Sequence, residues 1–252
     1  MSSSSLPLAG KIAIVTGGSK GIGRATSLRL ARGGATVVVN YSSNSSAADE
    51  VVTQITDAKG TAIAIKADVS SVAQITKLID EVVAKFGKID ILIACAGTMR
   101  LAELDKVTEE DYDITFNLNV KGPLFLTQKA APHMAPGSRV VLFSTTQAHA
   151  STVTANYLTY IASKGAIEQM NRALSKDLAR KGITVNCVSP GPTATDLFLQ
   201  GKSEQLIKTI AGFNPQNRIG KPEEIAEVVA FLSSPAASWV SGQMLLANGG
   251  QA

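Results

Sequence analysis

Tyr160 and Lys164 stand four residues apart in Tyr160-Ile-Ala-Ser-Lys164, at the head of a stretch with helical spacing. Residues i and i+4 share a helix face, so the phenol and the ammonium would be neighbours. A free phenol has a pKa of about 10 and is a poor acid–base group at neutral pH. An adjacent ammonium favours the phenolate and lowers that pKa toward the working range. Such a pair can pass a proton to or from an oxygen. Taken alone it can equally be surface packing, so its meaning depends on what the chain places beside it. Tyr157 competes in principle, but its i+4 residue is Ile161, which cannot tune it.

A second feature supplies that context. The apolar run Ile12–Thr16 leads into Thr16-Gly-Gly-Ser-Lys-Gly-Ile-Gly23, and a helical pattern follows over Ile22–Arg32. Glycines at a strand-to-helix turn let the backbone bend sharply and approach a pyrophosphate. The helix start then offers its N–H groups and positive dipole end to that anion. Gly17, Ser19, Lys20, Gly21, Ile22 and Gly23 are the expected contacts. The spacing is G-x-x-x-G-x-G rather than the G-x-G-x-x-G of many dehydrogenases. An acid closing the next strand would bind the ribose of NAD and repel a 2′-phosphate. This chain has Asn40-Tyr41-Ser42-Ser43 there, which offer neutral donors. Lys20 and Arg24 could add positive charge. The cofactor expected is therefore NADPH. Asp68-Val69 closes the third strand, where a carboxylate could accept from the adenine amino group or cap the following helix.

Strand-like and helix-like segments alternate from Lys11 onward. Strands are expected at 12–16, 36–40, 62–66, 89–94, 139–143, 183–188 and 243–247. Helices are expected at 22–32, 47–58, 72–86, 109–134, 157–180 and 222–232. The alternation predicts parallel strands with helices on both faces. Right-handed crossovers then make it a single doubly wound, Rossmann-type α/β sheet over residues 10–252. The Ser-rich residues 1–9 read as a short disordered lead and lack the features of a secretory signal.

Composition narrows the classes. Of the 252 residues 45% are hydrophobic and 17% charged, a globular balance. The net charge of +4 comes from scattered Lys and Arg, and with no basic stripe a nucleic-acid partner is not expected. No run approaches the roughly 20 apolar residues of a membrane helix, so no membrane partner is expected either. Cys95 and Cys187 lie in or beside apolar runs without metal-ligand spacing. They read as buried thiols of a cytoplasmic protein. His133 and His149 have no second ligand nearby, and no metal is expected. His149 precedes the Tyr–Lys helix and reads as a surface residue or, alternatively, one facing substrate.

With these motifs in place the chain resembles the short-chain dehydrogenase/reductase family over about residues 10–250. The resemblance rests on T-G-x-x-x-G-I-G at 16–23, N-V-x-G at 119–122, Y-x-x-x-K at 160–164 and the Pro190-Gly191 turn. The tail 242–250 is similar to the family's last strand and turn. Within the family the chain is most similar to 3-oxoacyl carrier-protein reductases and fungal ketone and naphthol reductases. The resemblance implies that Tyr160 protonates a carbonyl oxygen and that Lys164 binds the cofactor ribose. It implies that Asn119 holds a helix kink and a relay water. Pro190, Gly191, Thr193 and Thr195 would line the nicotinamide, with Ala96 and Gly97 at the adenosine ribose. It also implies a homotetramer, through the Tyr–Lys helix and the C-terminal strand.

Two departures stand out. Ala94-Cys-Ala-Gly97 replaces the family's Asn-Asn-Ala-Gly, a mainly structural change. The family's carbonyl-orienting serine has no direct counterpart: thirteen back from Tyr160 is Gln147. Counting six along from Arg139 gives Thr145, the favoured hydroxyl, with Ser144 second and Thr146 adjacent. Residues 192–215, which include Leu197, Phe198, Leu199 and Ile207, read as an apolar lid over a ketone substrate, or as a packed amphipathic helix. Two rival functions stay open: an NAD-linked alcohol or sugar dehydrogenase, and an NADPH-binding sensor without turnover.

Overall fold

The computed structural model describes residues 6–252. In chain order its elements are β1 (Ile12–Val15), α1 (Gly21–Arg32), β2 (Thr36–Tyr41), α2 (Ser45–Asp57), β3 (Thr61–Lys66), α3 (Val72–Phe86) and β4 (Ile91–Ala94). There follow α4 (Glu109–Phe116), α5 (Gly122–Ala130), β5 (Arg139–Phe143), α6 (Leu158–Ala179) and β6 (Thr184–Pro190). The chain closes with α7 (Asp196–Leu199), α8 (Glu204–Gly212), α9 (Pro222–Ser233) and β7 (Met244–Ala247).

The strands form one parallel sheet in the order β3-β2-β1-β4-β5-β6-β7. Side chains alternate across it. Ile12 and Ile14 enter a core shared with α3, α5 and α6, while Ala13 and Val15 enter the opposite core with α1, α2 and α9. Both faces are covered, which is why the strands are apolar throughout. The strand order reverses between β1 and β4, and in such sheets the crevice beyond the carboxyl ends at that point receives ligands. The doubly wound α/β fold read from the alternation is the fold observed.

Several expected boundaries move. The helix expected over 109–134 is interrupted by a π-helical turn at Asn117–Lys121, directly before Gly122, which approaches the carbonyl of Val69 too closely to carry a Cβ. The lead expected at 1–9 falls outside the described residues at 1–5. Leu8, however, belongs to the fold: it is buried and its N–H bonds the carbonyl of Gly33 at 2.8 Å. The 192–215 segment holds α7 and α8, and α8 buries none of its residues. Among the described residues no helix is long and apolar enough to cross a membrane.

Candidate active site

The carboxyl ends of the strands enclose a cavity of about 440 Å³. The cofactor residues named above, Arg24 apart, line it: the glycine turn with Gly17, Ser19, Lys20, Gly21, Ile22 and Gly23, the end of β2 with Asn40, Tyr41 and Ser42, Asp68-Val69 after β3, Ala96-Gly97 after β4, and Pro190, Gly191, Thr193 and Thr195 after β6. Ser144, Thr145, Tyr160 and Lys164 form its inner end. Segments far apart in sequence meet there because parallel strands all end on the same side of the sheet.

The glycine turn is built for close approach. Gly17 and Gly21 have φ of 61° and 49°, where a side chain is strained. A Cβ on Gly23 would run into the carbonyl oxygen of Gly17. One on Gly21 would come within 3.0 Å of Thr195. Thr16 ties the turn to β4, accepting from Ala96 N at 3.1 Å and donating to Ile93 O. This cradle, which a Cβ would fill, fits a dinucleotide pyrophosphate at the start of α1. No carboxylate ends β2.

Three cofactor residues differ from expectation. Asn40 is buried and donates to the carbonyls of Ala67 at 3.0 Å and Ile65 at 3.3 Å, so its amide fastens β2 to β3 rather than facing a ligand. Arg24 turns to Gln54 of α2 at 2.8 Å and lies off the cavity wall, which leaves Lys20 as the cation at the turn. Asp68 neither caps α3, which starts after Ser71, nor keeps both oxygens for a ligand: Oδ1 accepts from the N–H and hydroxyl of Ser70.

At the inner end the three candidate hydroxyls separate. Thr145 has extended backbone, so neighbouring side chains point to opposite sides. Ser144 Oγ lies 2.6 Å from Glu168 Oε1 on α6, and Thr146 Oγ1 donates to Ser189 O at 3.2 Å. Both are committed to neighbouring elements, so Ser144 is not the hydroxyl that faces Tyr160. Thr145 is: its hydroxyl is close enough to the Tyr160 phenol to oppose the effect of burial there, while its oxygen accepts from Gln147 N at 3.3 Å.

The electrostatics correct one expectation. Burial pushes the Tyr160 phenol up to about 12, the Thr145 hydrogen bond opposes this, and neighbouring Tyr157 reinforces it. Lys164 donates to the Phe143 carbonyl at 2.9 Å, and its Nζ sits 5.8 Å from the Tyr160 ring centre. The ammonium thus stands over the ring, and burial is the largest influence on the phenol. Burial also lowers the Lys164 pKa, while the nearby thiols of Cys187 and Cys95 oppose that fall.

Asn119 stands in the π-helical turn, behind the cavity. Its amide donates to Thr98 O at 2.9 Å and Ser163 Oγ at 3.1 Å, and its oxygen accepts from Thr98 N at 2.9 Å. It clamps the loop after β4 to α6. The sequence reading did not single out Thr98, Met99, Leu118 or Gln147 as cavity walls. They come from loops and a helix distortion, where no periodic pattern marks orientation. His149 pairs with Glu168 at 2.8 Å and is not part of the wall.

Comparison with known proteins places this geometry. The family model described as Enoyl-(Acyl carrier protein) reductase matches residues 17–252. A hydroxynaphthalene reductase-like protein of Metarhizium guizhouense is 41% identical, over 96% of this chain and 95% of its own. A short chain dehydrogenase/reductase of Aspergillus aculeatus is 42% identical over all of both chains. Among solved structures, a short chain dehydrogenase of Burkholderia cenocepacia in complex with NADP superposes with a TM-score of 0.92 at 36% identity, covering 97% and 99% of the two chains. An angucycline C-6 ketoreductase with bound NADP gives 0.91 at 33%, covering 97% and 96%.

Proposed function

Because this chain belongs to the short-chain dehydrogenase/reductase family of oxidoreductases, we propose that it reduces a ketone to an alcohol with NADPH. The observation that carries the reading is the convergence of Thr145, Tyr160 and Lys164 at one end of a cavity whose other end is the glycine cradle. The substrate class proposed is a 3-oxoacyl or polyketide-type aromatic ketone. Met99, Leu118, Tyr157 and Phe198 support it by giving the inner end apolar and aromatic walls.

The turn 17–23 would hold the pyrophosphate, Lys20, Tyr41 and Ser42 the adenosine phosphate, and Lys164 the nicotinamide ribose. Thr193 and Thr195 would hold the carboxamide side. Bound there, NADPH supplies the hydride. Tyr160, a neutral phenol, gives its proton to the carbonyl oxygen as negative charge develops on it. Thr145 holds that oxygen beside the phenol by hydrogen bonding. Asn119 fixes the wall between α6 and the loop after β4.

The test is NADPH and NADH oxidation with an acetoacetyl thioester, an aromatic diketone and a fused-ring ketone, with Tyr160→Phe alongside. NADPH-selective turnover that collapses in the variant supports the reading. Equal use of NADH would favour the NAD-linked alcohol dehydrogenase, and tight NADPH binding without turnover would favour a sensor. We place the protein in the cytoplasm on the strength of its free thiols, Cys95 and Cys187. We also propose a homotetramer, supported by exposed apolar side chains on two faces. Tyr112, Leu124 and Leu158 lie on α4–α6, and Phe231, Trp239 and Leu246 lie around β7. A monomer mass by light scattering would refute it.

A further inference from the structure

Glu168 lies on α6 one turn beyond Lys164, outside the cavity, with a side chain only 13% exposed. A carboxylate this buried needs partners. Its Oε1 takes two: the Ser144 hydroxyl at 2.6 Å and His149 Nε2 at 2.8 Å. For the ring to donate to the carboxylate, Nε2 must carry the hydrogen. One oxygen therefore ties two points of a single segment to the catalytic helix: the residue after β5, and the loop beyond the short turn at Thr146–Ala148.

Between those two points stands Thr145. Its other neighbour, Thr146, is pinned to β6 through Ser189 O. Ser144 also keeps its backbone in register, donating its N–H to Val188 O at 2.9 Å. Thr145 is thus held from both sides, and its hydroxyl is directed at Tyr160. Two contacts of Ser144 Oγ reach α6, the helix that carries Tyr160 and Lys164: Glu168 Oε1 at 2.6 Å and, longer, Lys164 O at 3.3 Å. The shorter one, whose carboxylate also holds His149, sets the hydroxyl of Thr145 against the phenol.

We infer that Glu168 is a positioning residue for the reductase: through Ser144 and His149 it holds Thr145 against Tyr160. The inference rests on the ketone-reductase reading above. It predicts coupling between residues 145 and 168, which a general loss of stability would not produce.

The experiment is a double-mutant cycle in the full chain with the best ketone of the panel. Glu168→Ala should lower kcat about 10-fold, as expected for a small misplacement of a reacting group, with KM for NADPH unchanged. Glu168→Gln, which keeps an acceptor for Ser144, should recover most of that loss. The pair Thr145→Val with Glu168→Ala should be no slower than Thr145→Val alone. Should Glu168→Ala fail to fold, Ser144→Ala, which removes the same contact from the other side, carries the cycle with Thr145→Val. Wild-type kcat in Glu168→Ala, or losses that multiply in the double variant, would overturn the inference while leaving the reductase reading intact. Wild-type kcat in Thr145→Val would instead overturn the reading of the site, and the positioning role with it.

Discussion

Replacing Thr145 with valine removes one hydroxyl and keeps the side chain's shape. That hydroxyl has two structural duties. Its oxygen accepts from Gln147 N at 3.3 Å, capping the turn at Thr146–Ala148, and it faces the Tyr160 phenol closely enough to oppose the effect of burial there. Loss of such a cap costs about 0.5–2 kcal/mol. In a chain of this length 1 kcal/mol moves Tm by roughly 2–4 °C, so a fall of about 1–8 °C is expected. The catalytic loss should be larger. A donor aimed at a developing oxyanion is worth about 2.7–4 kcal/mol, or roughly 100–1,000-fold in kcat. KM for NADPH should hold, because the glycine turn and Lys20 lie at the other end of the cavity.

Ser144→Ala is the control, since the two residues are adjacent and both carry hydroxyls. The Ser144 hydroxyl faces Glu168, so its removal should cost at most about 10-fold through misplacement alone. Initial rates of NADPH oxidation for both variants, with thermal melts, decide the matter. If Ser144→Ala loses more turnover than Thr145→Val, the assignment of the carbonyl-facing hydroxyl is wrong.

Gly23→Ala would drive a Cβ into the Gly17 carbonyl and open the phosphate cradle, so NADPH affinity should fall about 100-fold in a fluorescence titration. Asn40→Leu strands the carbonyls of Ile65 and Ala67, at about 1–3 kcal/mol. Its melt should drop while NADPH affinity holds, and the opposite pattern would make Asn40 a ligand contact. Burial pushes the thiols of Cys95 and Cys187 up to about 12, but Cys95 is only partly buried, at the cavity wall, so it is Cys187 that should not react with a disulfide reagent at pH 8 in the folded protein. Folding favours their protonated forms, so stability should be steady below about pH 8.5 and decline as pH rises from about 9 toward 12. The phenol of Tyr160 follows the same sign from about 10 to 12. In ligand-free protein the wild-type minus Tyr160→Phe spectrum should show no phenolate below about pH 10.5.

The parts of this structure that were legible in the sequence are those where chemistry leaves one residue type little choice. Gly17, Gly21 and Gly23 mark the cradle because a positive φ or a crowded carbonyl excludes a Cβ. The β-branched runs mark strands buried on both faces. The i, i+4 spacing puts Tyr160 and Lys164 on one helix face. Orientation is where the reading stops. Ser144, Thr145 and Thr146 are interchangeable as letters, and only the extended backbone at Thr145, with Glu168 and Ser189 as flanking anchors, selects the middle one. Asn40 is the expected last residue of β2, which in fact runs on to Tyr41, and its amide turns inward to β3. The π-helical turn at Asn117–Lys121 shifts the helix phase by one residue, a change that average periodicity smooths away.

The Tyr160 environment bears on the direction of the reaction. A residue that takes a proton from an alcohol must first be a phenolate, and one that gives a proton to a carbonyl must first be a phenol. The protein's own groups favour the second: burial and Tyr157 raise the phenol, and Thr145 alone opposes them. Lys164, whose Nζ lies 5.8 Å from the ring centre, gives one of its three hydrogens to the Phe143 carbonyl. In the ligand-free protein a neutral phenol is therefore the form available to donate, which is the form that reduction of a ketone needs. The absence of a carboxylate at the end of β2 points the same way, since it admits the phosphorylated cofactor used for reduction. The two observations are independent, because one concerns the proton and the other the hydride carrier.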